Sequence, residues 1–251
     1  MKNIFTLLFI AILALSAANT FSQGIFQLWG TTSFGGPDDR GVLFSTKFDG
    51  TGQSVKKTFN LIDAGMPGDG NLPVAYNNKL YSILKGGGLQ GLGVIIEYDP
   101  ATNIYTKRAD VYELTGDGAN SAMVVYGNKL WGTISKGGTT GAGVLFDFNP
   151  ASGVITVHYN FTTANGAYPE NLIVFNNKLY GFTSHGGAIG DGVIFEFDPV
   201  GNIYTKKKDL NDETTGRFPE GGFVAYNGKL WTATRDSKGP LTGGYILSYD
   251  P

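Results

Sequence analysis

Lys129-Leu130-Trp131-Gly132-Thr133-Ile134, a Gly-rich connection from Lys136 to Gly143, and Val144-Leu145-Phe146-Asp147-Phe148-Asn149-Pro150 form one continuous phrase near the middle of the chain. Its opening returns at Gln27-Leu28-Trp29-Gly30-Thr31, Lys79-Leu80-Tyr81-Ser82, Lys178-Leu179-Tyr180-Gly181 and Lys229-Leu230-Trp231-Thr232. A period of about fifty residues, filled with short β-type runs, marks stacked supersecondary units. No helical period of useful length interrupts it.

One period, residues 171–211, shows what each unit contains. Leu172-Ile173-Val174-Phe175 and Lys178–Thr183 are β-type runs joined by Asn176-Asn177. Such a joint predicts a tight hairpin, because Asn and Gly accept the positive φ of a primed turn. The other copies carry Asn77-Asn78, Gly127-Asn128 and Asn227-Gly228 there. A third run, Val193–Phe197, follows a Gly-rich loop, and Asp198-Pro199-Val200-Gly201-Asn202 turns the chain into a fourth, Ile203–Leu210. Pro fixes φ in such a turn and Asp bonds its own backbone. Asn211 to Gly222 then reads as the crossover to the next unit.

Four antiparallel strands per period predict an all-β, β-propeller-like array, whose blades bury both faces against their neighbours. A β-solenoid is the alternative, but its coils are shorter and need no internal hairpins. The repeat domain is expected over 23–251. It opens at a second strand and stops at a third, so the reading is an incomplete ring, truncated at the C-terminus, with open blade edges that invite self-association.

The phrase L-W/Y-G-T-T/I-S, a Gly pair, then G-V-L/I-F-x-F-D/N-P resembles the Gloeo_Verruco (GloVer) tandem-repeat family of exported bacterial proteins. Leu130–Pro150 and Leu179–Pro199 carry it best. The copy at Leu80 departs with Ser82-Ile83-Leu84, and the copy at Leu230 lacks the Gly pair. Kelch repeats share the period but place their Gly pair and aromatics differently. The resemblance implies the repeat architecture and export, and assigns no activity.

Residues 1–22 read as a signal peptide: Lys2 is the only charge, Ile4–Leu15 is apolar but for Thr6, and small residues follow. The expected location is therefore secreted, extracellular or cell-surface, with no transmembrane segment after signal removal. With 19 basic and 21 acidic side chains the net charge is −2, so nothing in the balance favours nucleic acid. Cysteine is absent, which excludes disulfides and thiol chemistry from an exported fold.

Loop length separates the two ends of each unit. The first-to-second and third-to-fourth joints are tight, whereas the second-to-third and fourth-to-first connections are long and share one end. Long loops on a rigid scaffold are where binding residues concentrate. Lys85, Lys136 and His185 precede the Gly-rich runs there, with Arg235-Asp236 in the last copy; Asp69, Asp117, Glu170 and Glu220 precede the inner strands. These eight positions (Arg235 from the last pair) are the candidate ligand site, for a glycan or a protein. The carboxylates lack calcium-loop spacing, and the chain's two histidines, His158 and His185, sit at non-equivalent positions. No metal, cofactor or catalytic group is expected. The reading is a non-catalytic binding or scaffold module; a propeller-fold carbohydrate-active enzyme, lyase or hydrolase, is the alternative.

Overall fold

The computed structural model describes residues 27–60, 66–67, 72–111, 121–236 and 243–251. Segment 1–22, Asp69 and Asp117 lie outside the described residues. The architecture is a five-bladed propeller array of antiparallel sheets. Blade 1 contains β1 (Gln27–Thr31), β2 (Val42–Lys47) and β3 (Ser54–Thr58). Blade 2 contains β4 (Met66–Pro67), β5 (Val74–Tyr76), β6 (Lys79–Lys85), β7 (Val94–Asp99) and β8 (Ile104–Asp110). Blade 3 follows with β9 (Val124–Tyr126), β10 (Lys129–Ile134), β11 (Val144–Asn149) and β12 (Val154–Asn160). Blade 4 has β13 (Ala167–Phe175), β14 (Lys178–His185), β15 (Val193–Asp198) and β16 (Ile203–Asp209). Blade 5 has β17 (Arg217–Tyr226), β18 (Lys229–Asp236) and β19 (Ile246–Tyr249).

Among the described residues, blade 1 shows strands two to four of the unit and blade 5 strands one to three. Two details differ from the sequence reading. β4 and β5 both pair with β6, Met66 opposite Lys85 and Val74 opposite Tyr81, so two short pieces share one inner-strand position. The inner strands β13 and β17 also start earlier than the apolar runs suggest. Each contains a register shift, between Pro169 and Leu172 and between Glu220 and Val224. Glu170 and Glu220 therefore belong to bulged strands rather than to the crossovers. The apolar pattern hides this because Pro169-Glu170-Asn171 and Pro219-Glu220-Gly221-Gly222 interrupt it, and bulges are admitted at such residues.

The hairpin joints behave as their chemistry requires. Asn77, Asn78, Asn176, Asn177, Asn227 and Gly228 all have positive φ, the pattern of a type I′ turn. At Gly127-Asn128 only Gly127 does, which is the Gly-first pattern of a type II′ turn. At the other turn Asp99, Asn149 and Asp198 each accept a backbone N–H two residues on, at 2.9 Å.

The core is divided among the seams. Four apolar clusters lie between consecutive blades: Leu43, Leu80 and Ile96 join blades 1 and 2; Ile83, Ile95 and Phe146 join blades 2 and 3. Trp131, Leu145 and Phe195 join blades 3 and 4, and Tyr180, Phe182 and Leu230 join blades 4 and 5. Strands β7, β11 and β15 are buried on both faces, which explains their unbroken apolar character.

A polar device recurs inside this packing. Tyr81 donates to Glu97 at 2.7 Å and Tyr180 to Glu196 at 2.5 Å, each across a strand pair. Lys79 and Lys178 reach the same carboxylates. In blade 3 the aromatic is Trp131 and the acid is Asp147, which is fully buried. Lys129 and His158 both hold Asp147 at 2.6 Å. In blades 2, 3 and 4 a β-bulge in the outer strand aims the second cation inward. Arg108, His158 and Lys207 are the extra residues at those bulges, and all three reach their blade's acid. Burial pushes Glu97 and Glu196 up, but the Lys and Tyr hydrogen bonds and the neighbouring cations outweigh it and hold both below the usual range.

Candidate ligand-binding surface at the long-loop end

The Gly-rich connections are shaped by backbone geometry. In blades 2, 3 and 4 the last residue of the outer strand, Asp110, Asn160 or Asp209, accepts a loop N–H at 2.8–3.0 Å. A Cβ on Gly138 would stand 2.5 Å from Asn160 Oδ1, and one on Gly187 the same distance from Asp209 Oδ1. Glycine is required there so that the loop can close on its cap. Ahead of these clipped loops, Lys85, Lys136 and His185 are exposed at matching places in three blades.

Only part of the predicted set comes together. Lys85 ends β6 in blade 2 and Lys136 follows β10 in blade 3. His185 and Arg235 meet through Phe218 at the seam of blades 4 and 5. The His185 ring lies 5.1 Å from Tyr168 on one side and 5.1 Å from Phe218 on the other. The guanidinium groups of Arg217 and Arg235 each stand 5.0 Å from the centre of the Phe218 ring. Glu170, two residues after Tyr168, is half-buried, and its carbonyl accepts from Thr133 Oγ1 at 2.6 Å, tying blade 4 to blade 3.

Tyr168 and Phe218 occupy the left-handed region, with φ of 58° and 52°, each directly before a proline. Aromatic residues avoid that region, and a residue before proline prefers extended backbone, so both positions are strained. Strain of this kind costs on the order of 1–3 kcal/mol and concentrates at functional sites. The Tyr168 N–H donates to the Ala142 carbonyl of blade 3 at 2.9 Å, and the ring stands more than a third exposed. The result is two aromatic rings with an imidazole between them and two guanidinium groups beside Phe218. Such a surface can stack on a flat face and pair with anionic groups.

Charge on the loops does not single out Tyr168, Phe218 or Arg217. A signal was present: Tyr168-Pro169-Glu170 and Phe218-Pro219-Glu220 are the same aromatic-Pro-Glu phrase one repeat apart. Among the described residues no group of three or more His, Asp and Glu is placed to hold a metal ion, and no helix is long and apolar enough to cross a membrane.

Solved structures share this architecture. TolB from Acinetobacter baumannii aligns with a TM-score of 0.48 at 10% identity, over 82% of this chain and 49% of that one. A TolB-type protein from Agrobacterium tumefaciens aligns with a TM-score of 0.50 at 8% identity, over 89% and 70%. The chain therefore spans about half the length of the first, and at such identities the likeness concerns the fold alone. No curated protein matches the sequence. The signature of the Gloeobacter/Verrucomicrobia repeat matches residues 22–176 and 128–251, which together take in the whole propeller, and the chain belongs to that repeat family.

Proposed function

We propose that this protein is an exported, non-catalytic binding module that presents the long-loop end of blades 4 and 5 to a glycan or protein ligand bearing anionic groups. The observation that carries the reading is the pair of strained aromatics, Tyr168 and Phe218, flanking His185 with Arg217 and Arg235 alongside. The strain recurs at the same repeat position in both blades, at an exposed Tyr168 and a half-buried Phe218. Stacking against a sugar or peptide face while cations meet a carboxylate or sulfate gives that strain a use. The leader-like segment at residues 1–22 and the repeat family support export.

The test is a glycan-array screen of the protein lacking residues 1–22, with and without Ca²⁺, followed by the Tyr168→Ala/Phe218→Ala double variant. Binding to acidic glycans is expected, weakened at least tenfold in the variant (about 1.4 kcal/mol), with the unfolding midpoint retained. Binding that survives the double variant refutes this placement of the site. Polysaccharide turnover abolished at Glu170 or Glu220 would establish the enzyme reading instead.

A further inference from the structure

The seams between blades are not equivalent at the opposite, tight-turn end. Each third-to-fourth turn closes on a left-handed residue: Asn103 at φ 61°, Gly153 at φ 74° and Asn202 at φ 53°. At the seam of blades 3 and 4 the Asn202 side chain fills the gap, its Oδ1 2.7 Å from His158 Nδ1. At the seam of blades 2 and 3 the corresponding residue is Gly153, which has no side chain to offer. Arg108, the counterpart of His158, crosses instead to the Pro150 carbonyl at 2.6 Å. A cleft of 660 Å³ stands open there, lined by Tyr76, Lys79, Tyr81, Glu97, Arg108 and Lys129, with three Asn residues and the Pro150-Ala151 turn around its rim.

The lining is chemically one-sided. Three cations face one carboxylate, and that carboxylate is already held by Tyr81 at 2.7 Å, Lys79 at 2.5 Å and Arg108 at 3.2 Å. Lys129 holds Asp147, which is buried behind the wall. An ammonium carries three donors and a guanidinium five, so these internal bonds do not use up the donor capacity of the three lining cations. The Tyr76 and Tyr81 rings, 6.4 Å apart and tilted by 60°, supply an apolar side. The volume falls within the range of small-ligand pockets.

We propose that this cleft is a second binding site, for a small carboxylated sugar of the uronic acid class: the carboxylate meets Arg108 and Lys129, the ring lies against Tyr76, and the hydroxyls meet the Asn side chains. An Arg fork suits a planar carboxylate, and an aromatic wall suits a sugar face. This site is independent of the long-loop surface, since it lies at the other end of the blades.

The repeat itself supplies the test. Gly153→Asn places at this seam the residue that closes the next one, in a backbone conformation that Asn103 and Asn202 already adopt. Glucuronate, glucose and inorganic phosphate are titrated by calorimetry into the protein and into Gly153→Asn, Ala151→Tyr and the long-loop Tyr168→Ala/Phe218→Ala variant. Saturable glucuronate binding is expected, with glucose and phosphate each at least tenfold weaker. Gly153→Asn and Ala151→Tyr should each weaken glucuronate binding at least tenfold with the unfolding midpoint unchanged, and the long-loop variant should retain it. Absence of glucuronate binding overturns the proposal, as does indifference to both cleft variants. Phosphate binding as tight as glucuronate would overturn the sugar class.

Discussion

A single atom explains much of the repeated phrase. Gly30, Gly132 and Gly181 stand opposite Phe44, Phe146 and Phe195 across a strand pair. A Cβ on them would lie 2.8, 2.9 and 2.5 Å from the terminal ring carbon of that Phe. Where the opposing residue is smaller the restriction lifts: Ser82 faces Ile96 and Thr232 faces Leu247. The departures from Trp/Tyr-Gly in blades 2 and 5 are thus paired exchanges of volume across the sheet. Gly132→Ala should destabilise by about 1–3 kcal/mol, the range for overpacking a filled core. Adding Phe146→Ile, the solution used by Ser82 and Ile96, should recover part of the loss. Chemical denaturation of both single variants and the double gives the coupling. A purely additive cycle would show that the ring contact is not what selects glycine.

Among the elements, the hairpins and the Asp/Asn-Pro turns were legible because their chemistry is local: φ requirements are written in single residues. The outer-strand bulges were not. Val157-His158-Tyr159 reads as ordinary alternation, and only pairing with β11 shows that Val157 and Tyr159 face consecutive residues, Phe146 and Leu145, leaving His158 as the extra one. The inner strands were misjudged at their polar ends for the same reason, since bulges depend on the partner strand. Half of the site was legible for a related reason: charge on loops marks His185 and Arg235, while Tyr168 and Phe218 leave only a repeated aromatic-Pro-Glu phrase in the sequence, and their strain shows in the backbone geometry alone. The bulge at His158 has a consequence for stability. Its ring nitrogens face Asp147 at 2.6 Å and Asn202 at 2.7 Å, and its ring centre lies 4.6 Å from that of Trp131 with the planes tilted by 33°. The Asp147 bond raises its pKa above the ordinary 6.5, with burial and Lys129 opposing. A raised folded-state value means that the clip contributes fully below pH 6.5 and is lost as pH rises through the folded value. Asp147 is lowered from 3.8, so its own loss falls on the acid side of that window. Thermal midpoints from pH 5.5 to 9 should therefore fall faster for the wild type than for His158→Gln (about 0.5–2 kcal/mol difference across the window, as for a charge-assisted bond). Parallel curves would mean that the imidazolium does not clip blade 3 to blade 4.

At the scale of the whole molecule, stability is distributed as in a linear array. Each seam between consecutive blades holds one apolar cluster, and among the described residues none of these clusters joins blade 1 to blade 5, so each blade depends on its immediate neighbours. The strands differ accordingly. β7, β11 and β15 are buried along nearly their whole length, whereas β2 alternates between buried and half-buried, and β19 alternates between exposed and half-buried with Ile246 80% exposed. Local opening should then cost least at the ends and most in the middle, because opening an end blade breaks one seam and opening a central blade breaks two. Hydrogen exchange followed by mass spectrometry should show amides of β7, β11 and β15 exchanging slowest. Those of β2 and β19 should be fastest by at least tenfold, since a single lost seam differs from two by more than the 1.4 kcal/mol that a factor of ten represents. Uniform protection across all five blades, lost in one event, would instead require the terminal blades to gain partners on their open faces, from the same ring or from a second copy. The exchange profile therefore decides whether this chain behaves as an array with two free ends or as a closed assembly.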